Sequence, residues 1–235
     1  YARAAAGGEM GRLRLAFVST VGFSLLPQWV RAFRQQYPQV QLELIEATGD
    51  VQLQLLERGA VDAGFMLHAP GFAPDGLTRR LLASEPLVVA LPGHHALAGA
   101  SSLTLGKVLA EPLVIFPRRI VPSLYDAIFA MYHAAGRSPQ VAQEAIQMQT
   151  IVNLVSAGLG LAWVPQSVRQ FQRPGIMYRE VSASRGRELP GCETSLVWAD
   201  GKANPVLDRF LAFAGRYRGL PFSHPSELHA QSPPC

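Results

Sequence analysis

The sequence is poor in cysteine: Cys192 and Cys235 are the only two among 235 residues. They form no CxxC pair and have no metal-ligand spacing, which argues against a disulfide framework or a zinc module. Two isolated thiols fit a reducing cytoplasm. Charge is also scarce, at 16% of residues, and it is scattered. Arg79-Arg80 and Arg118-Arg119 are only pairs, short of the roughly five or six like charges of a basic arm. The net charge of +4 and the pI of about 9.4 leave two readings open, a nucleic-acid footprint and an ordinary solvated surface. No stretch approaches the ~20 apolar residues of a membrane span, so no membrane partner is expected. Residues 1–11 lack the charged-then-apolar order of a secretory signal, and no Met opens the chain, which reads as an internal piece of something longer. No nucleophile elbow, HExxH or P-loop occurs. Gly158-x-Gly160 precedes a strand pattern instead of following one, so it is no dinucleotide fingerprint. No enzyme activity and no cofactor are expected.

Apolar residues make up 49% of the chain, enough for a real core. Leu13, Leu15 and Phe17 alternate with Arg12, Arg14 and Ala16, a strand pattern running to about Ser19. A turn through Ser19-Thr20-Val21-Gly22 leads into a helix over 23–37, which Pro38 ends. A strand over 40–46, a short helix over 51–58 closed by Gly59, and an apolar strand over 61–67 follow. Strand, helix, strand, helix, strand implies a parallel, helix-covered sheet. A further strand over 77–83 is expected, and a second α/β unit begins at Pro86. That unit carries strands at 113–116, 160–164, 176–181 and 194–199 and helices at 122–135 and 150–157. A last helix over 205–217 places Leu207, Phe210, Leu211 and Ala214 on one face, and residues 219–235 read as a disordered tail.

Two α/β lobes imply a cleft, and open α/β sheets bind ligands at the carboxyl ends of their strands. Those ends are Ser19-Thr20, Ala47-Thr48-Gly49 and Leu67-His68 in the first lobe, and Phe116-Pro117-Arg118 and Val164-Pro165 in the second. Hydroxyls and free N–H groups at Ser19-Thr20 suit an anion such as a carboxylate, although ordinary N-capping explains them equally. Gln149 and Thr150 open a helix on the second lobe and face the cleft or simply cap. Arg118 is the cationic candidate, against a solvated arginine. Trp163 and Val164 lie on the matching strand as wall or core. His94-His95 has no third ligand in sight, and Asp62, at a strand start, suits structural hydrogen bonding better than acid-base chemistry.

The wording of several segments resembles the effector-binding domain of LysR-type transcriptional regulators, over roughly residues 11–218. The carriers are Gly11-Arg12-Leu13-Arg14-Leu15-Ala16-Phe17-Val18-Ser19, Glu57-Arg58-Gly59-Ala60-Val61-Asp62-Ala63-Gly64 and Leu91-Pro92-Gly93-His94-His95-Ala96-Leu97. The most specific is Val155-Ser156-Ala157-Gly158-Leu159-Gly160-Leu161-Ala162-Trp163-Val164-Pro165. The resemblance implies an α/β fold of two Rossmann-like lobes joined by two crossovers, like type II periplasmic binding proteins. It places lobe I at 10–84 and 202–218 and lobe II at 85–201, with crossovers near Ser84-Glu85 and Asp200-Gly201. It implies an effector held between the lobes, DNA contact only through a separate N-terminal winged helix-turn-helix, and a homodimer or tetramer made through the 23–37 helix and 40–46 strand of lobe I. Strand ends, helix start and resemblance together make the effector-binding set Ser19, Thr20, Val21, Thr48, Gly49, Leu67, Phe116, Arg118, Gln149, Thr150, Trp163 and Val164. Thr48 matches a position where the family often supplies a hydroxyl, and Gly49 stands where some relatives carry that threonine. Leu67 stands where dicarboxylate-binding relatives carry arginine, which argues for a monoanionic organic acid with an apolar body. A transport-linked solute receptor of the same fold is the alternative reading.

Overall fold

A computed structural model describes residues 10–182, 188–201 and 204–216. The first lobe opens with β1 (Gly11–Phe17), the single helical turn α1 (Ser19–Gly22), α2 (Leu25–Gln36), β2 (Val40–Glu46), α3 (Gly49–Glu57) and β3 (Ala63–His68). β1 pairs in parallel with β2 on one side and β3 on the other. Every residue of β3 is buried, as expected of a parallel strand covered on both faces. The helix expected over 23–37 begins at Leu25, and the expected turn at Ser19–Gly22 is itself the helical turn α1.

β4 (Thr78–Pro92) is one continuous strand where two are expected from the sequence. Through Pro86 it pairs with β10 (Gly191–Trp198), and from Leu87 it pairs with β8 (Ala162–Pro165) and β9 (Ile176–Ser182). The strand therefore leaves one lobe and enters the other without a loop. Lobe II adds β5 (Ser102–Thr104), α4 (Leu105–Val108), β6 (Leu113–Ile115), α5 (Pro122–Ala134), β7 (Val141–Glu144), α6 (Met148–Ser156) and the 3-10 turn Gln166–Gln170. The last helix, α7 (Pro205–Arg216), returns to lobe I.

The two lobes repeat one strand order. Lobe I runs β2-β1-β3-β10-β4. Lobe II runs β7-β6-β8-β4-β9-β5, with β6 joined to β8 by the Leu113–Leu161 bridge. In each, the fourth strand is antiparallel to its neighbours and comes from the other lobe's stretch of chain: β10 in lobe I, the second half of β4 in lobe II. This corrects the expected second crossover. β10 pairs with β3, so the return to lobe I falls between Ser182 and Gly191, not near Asp200-Gly201, and lobe II does not extend through 201. Sheet membership is a long-range pairing that strand periodicity does not encode.

Lobe I's core is aromatic. Trp29 and Phe33 of α2 meet Phe210 and Phe213 of α7 at centroid distances of 5.2–6.0 Å, mostly edge to face. Asp62 is structural, as its strand-start position suggested. It accepts the Arg14 backbone N–H at 2.7 Å, the Arg14 guanidinium at 2.9 Å and the Asn204 amide at 3.1 Å. Asn204 Oδ1 in turn accepts the Leu207 N–H and caps α7. One carboxylate thus ties β1, the entry to β3 and the final helix. The expected disordered tail, 219–235, lies outside the described residues. No described helix is long and apolar enough to cross a membrane.

Candidate functional site

The carboxyl ends of β1, β2 and β3 in lobe I face those of β6 and β8 in lobe II across a cavity of about 40 Å³. That is well under the ~300–1,000 Å³ of typical ligand pockets, so the space between the lobes is narrow. Lobe I contributes Val18, Ser19, Thr20, Ala47, Thr48 and Leu67. Lobe II contributes Phe116, Ile120, Val121 and Leu124 from β6 onward, Ile146, Gln147, Met148 and Ile151 around the start of α6, and Trp163 and Pro165 from β8. None of these residues is ionisable.

Helix starts converge here. The residues preceding α1, α3, α5 and α6 are Val18, Thr48, Val121 and Gln147, and all four line the cavity. None makes a side-chain cap hydrogen bond. A helix start carries unpaired N–H donors and about half a positive charge, so the cavity is lined by donors without a formal cation. One of these donors has a partner from the opposite lobe: the Met148 N–H donates to Ser19 Oγ at 3.2 Å. Thr20, only 6% exposed, has an Oγ1 with no hydrogen-bond partner. Such an orphan is costly unless something arrives to use it. Thr48 Oγ1 donates to Asp50 instead of capping.

Several contacts join the two lobes across the cleft. The Ala69 N–H donates to Ser123 Oγ at 3.1 Å, Arg119 reaches Asp50 at 3.6 Å, and the Phe23 and Phe171 rings stack at 5.0 Å. Gly49 belongs to the same contact: a Cβ there would lie 2.7 Å from the Ile120 carbonyl oxygen. The lobes approach so closely at this point that no side chain fits. Behind the lobe I wall, buried Gln52 donates to the Ala47 and Phe65 carbonyls at 2.9 and 3.1 Å and ties the ends of β2 and β3.

Of the expected set, Ser19, Thr20, Thr48, Leu67, Phe116 and Trp163 line the cavity. Val21 and Val164 do not; both are buried in the core, Val164 on the opposite face of β8 from Trp163. Gly49 is a lobe contact. Arg118 is turned outward, its guanidinium bonded twice to Asp126 at 2.7 Å. That bond raises the arginine's pKa and lowers the aspartate's. It is therefore a surface pair, not a cleft cation. Gln149 and Thr150 lie two residues too far along: α6 begins at Met148, so Gln147 and Met148 hold the positions expected for them. Gln149 keeps a buried, unpartnered Oε1 and Thr150 is exposed. The apolar wall of Ile120, Val121, Leu124, Ile146 and Ile151 was missed, though Val121 precedes Pro122, a legible helix start.

A family model described as the LysR substrate binding domain matches residues 6–218. The HTH-type transcriptional regulator IlvR of Caulobacter vibrioides is 40% identical over 211 residues, covering 89% of this chain and 69% of that protein. The crystal structure of CbnR, a LysR family transcriptional regulator, superposes with a TM-score of 0.75 at 27% identity, over 91% of this chain and 72% of the other. The BenM effector binding domain with its effector benzoate gives a TM-score of 0.70 at 23% identity, over 87% of this chain and 90% of the other, a likeness of fold. The fold agrees with these matches, and the chain belongs to the LysR family of transcriptional regulators, with its substrate binding domain over residues 6–218.

Proposed function

We propose that this domain senses a small monoanionic organic acid with an apolar body, held between the lobes. The convergence of uncapped helix starts on a cavity without ionisable side chains carries the reading. A carboxylate there meets N–H donors and the free Thr20 hydroxyl, and each charge-assisted hydrogen bond contributes roughly 1.5–3 kcal/mol. A second negative charge finds no arginine, since Leu67 occupies the wall, and an ammonium finds no carboxylate. Leu67, Leu124, Ile151 and Trp163 supply the apolar surround. BenM's domain is described with benzoate, an acid of this kind.

The acid enters by opening the cleft, because the closed cavity is too small for a ring. It then shifts the lobes by its differential affinity for the closed state, and the shift is passed to an N-terminal winged helix-turn-helix that contacts DNA in the cytoplasm. Two copies pair through α2 and β2. Among the described residues β2 ends the lobe I sheet, and Leu44 on it is exposed. A two-fold protein suits two-fold DNA half-sites.

The test is a thermal-shift screen of benzoate, aliphatic monocarboxylates, dicarboxylates, amino acids and neutral amides. Ligand at about 100 times its Kd adds ~2.7 kcal/mol, a shift of a few degrees. Monocarboxylates are expected to lead, and Thr20→Val is expected to remove most of the effect. A neutral or cationic best hit, or a Thr20→Val variant of unchanged affinity, contradicts the proposal.

A further inference from the structure

We propose that Glu85 is a hinge clamp that fixes the angle at which the cleft closes. Glu85 lies on β4 at the last register positions shared with β10, opposite Cys192, immediately before the strand takes β8 and β9 as partners. It is only 8% exposed, and its side chain reaches across the lobe boundary. The carboxylate accepts the Ser167 backbone N–H at 2.6 Å and the Ser167 hydroxyl at 3.0 Å. Ser167 is the second residue of the turn Gln166–Gln170, which follows Pro165, a residue of the cavity wall. One side chain thus joins the strand that crosses between the lobes to the segment that lines the ligand space.

The surroundings make the hinge narrow. Pro86, the next residue, has a fixed φ and no N–H. On the other crossing strand, Gly191 lies so close that a Cβ would come within 3.2 Å of the Glu85 carbonyl oxygen, and the Cys192 thiol is fully buried beside the carboxylate. A rotation of the lobes about β4 and β10 has to move Ser167 relative to Glu85. A buried carboxylate that loses its donors is left uncompensated, so the two bonds resist that rotation. The cavity itself does not use Glu85. Its role is positioning: it acts on the ligand space through the turn it holds.

The clamp rests on the proposed sensing role only for its consequence, and its test needs no ligand. Amide exchange is measured by NMR on the ligand-free chain, with its radius of gyration from solution scattering. In Glu85→Ala the Ser167 amide is expected to lose on the order of 10- to 100-fold of its protection, the equivalent of one charged hydrogen bond, with the crossing stretches of β4 and β10 following. Amides of Phe65 in lobe I and Val114 in lobe II are expected to keep theirs, and the radius of gyration is expected to rise. Glu85→Gln, which keeps an oxygen for the Ser167 N–H, is expected to stay within about threefold of the parent. If Glu85→Ala does not fold, Ser167→Ala carries the same test through loss of the hydroxyl bond alone, with a smaller drop confined to the crossing strands. Exchange that rises equally throughout both lobes, a Gln variant as loose as the Ala variant, or unchanged crossing strands would overturn the clamp. Failure to find any binding acid would overturn the sensing proposal and leave this result standing.

Discussion

Replacing Gly49 with alanine should open the cleft. Gly49 is the first residue of α3 in lobe I, and its α-carbon faces the Ile120 carbonyl of lobe II. An added Cβ would lie 2.7 Å from that oxygen and 3.2 Å from Met66 Cε. The methionine can swing aside. The carbonyl is backbone, and relieving it requires roughly 0.7 Å of separation between the lobes to restore ordinary contact. Overpacking of this kind costs about 1–3 kcal/mol, and the cost falls on the closed state alone. In the open state alanine is no worse than glycine at a helix start. The closed-to-open ratio should therefore drop roughly 5- to 150-fold, and affinity for a closure-dependent acid should drop by the same factor wherever the closed state is the minor one. Solution scattering of the ligand-free chain should show a larger radius of gyration, while the melting temperature falls little. Gly64→Ala provides the contrast. Its Cβ would meet Gln52 Oε1 at 2.4 Å inside lobe I, so it should lower stability without opening the cleft. A Gly49→Ala chain with unchanged scattering and unchanged affinity for the best monocarboxylate would refute the idea that this approach sets closure.

Thr20→Val should leave the ligand-free chain as stable as the parent or raise its stability by about 1 kcal/mol, because it removes an unpartnered buried hydroxyl; a loss of several degrees in melting temperature would show that Oγ1 has a structural partner. Arg118→Gln should change neither melting temperature nor acid affinity, since the side chain is exposed and paired with Asp126; a large drop in affinity would return it to the site. Burial raises the Glu85 pKa more than the two Ser167 bonds lower it. With its folded pKa above the unfolded value, the parent loses stability relative to Glu85→Gln as pH rises through the folded pKa. In urea denaturation the parent should gain stability relative to Glu85→Gln as pH falls from neutral towards ~4.5, and a difference that stays constant would contradict the shift. Sedimentation at tens of micromolar, a concentration of order 10⁻⁵ M, should show a dimer that a charge at Leu44 weakens; a monomeric parent would rule out pairing through β2.

The elements were legible in the sequence because their signals are local. Alternation along Leu13, Leu15 and Phe17 marks β1, and Pro38 and Gly59 end their helices where expected, as those residue types must. The order of strands and helices, with the wording around Gly158-Leu159-Gly160-Leu161-Ala162-Trp163-Val164-Pro165, was enough to place the chain in its family and to name six residues of the cavity. Tertiary structure decided the remainder. Whether β10 joins lobe I or lobe II depends on pairing with β3, more than a hundred residues away. Arg118 was drawn out of the cavity by Asp126, and Gln149 stood where Gln147 belongs because a two-residue error in a helix start exchanges the residue that faces the cavity for the one behind it. Gly49, expected in the effector-binding set, is a lobe contact because Ile120 is brought against it from the other lobe. The sequence determines which groups are available at each strand end, and only the packing of one lobe on the other determines which of them share a cavity.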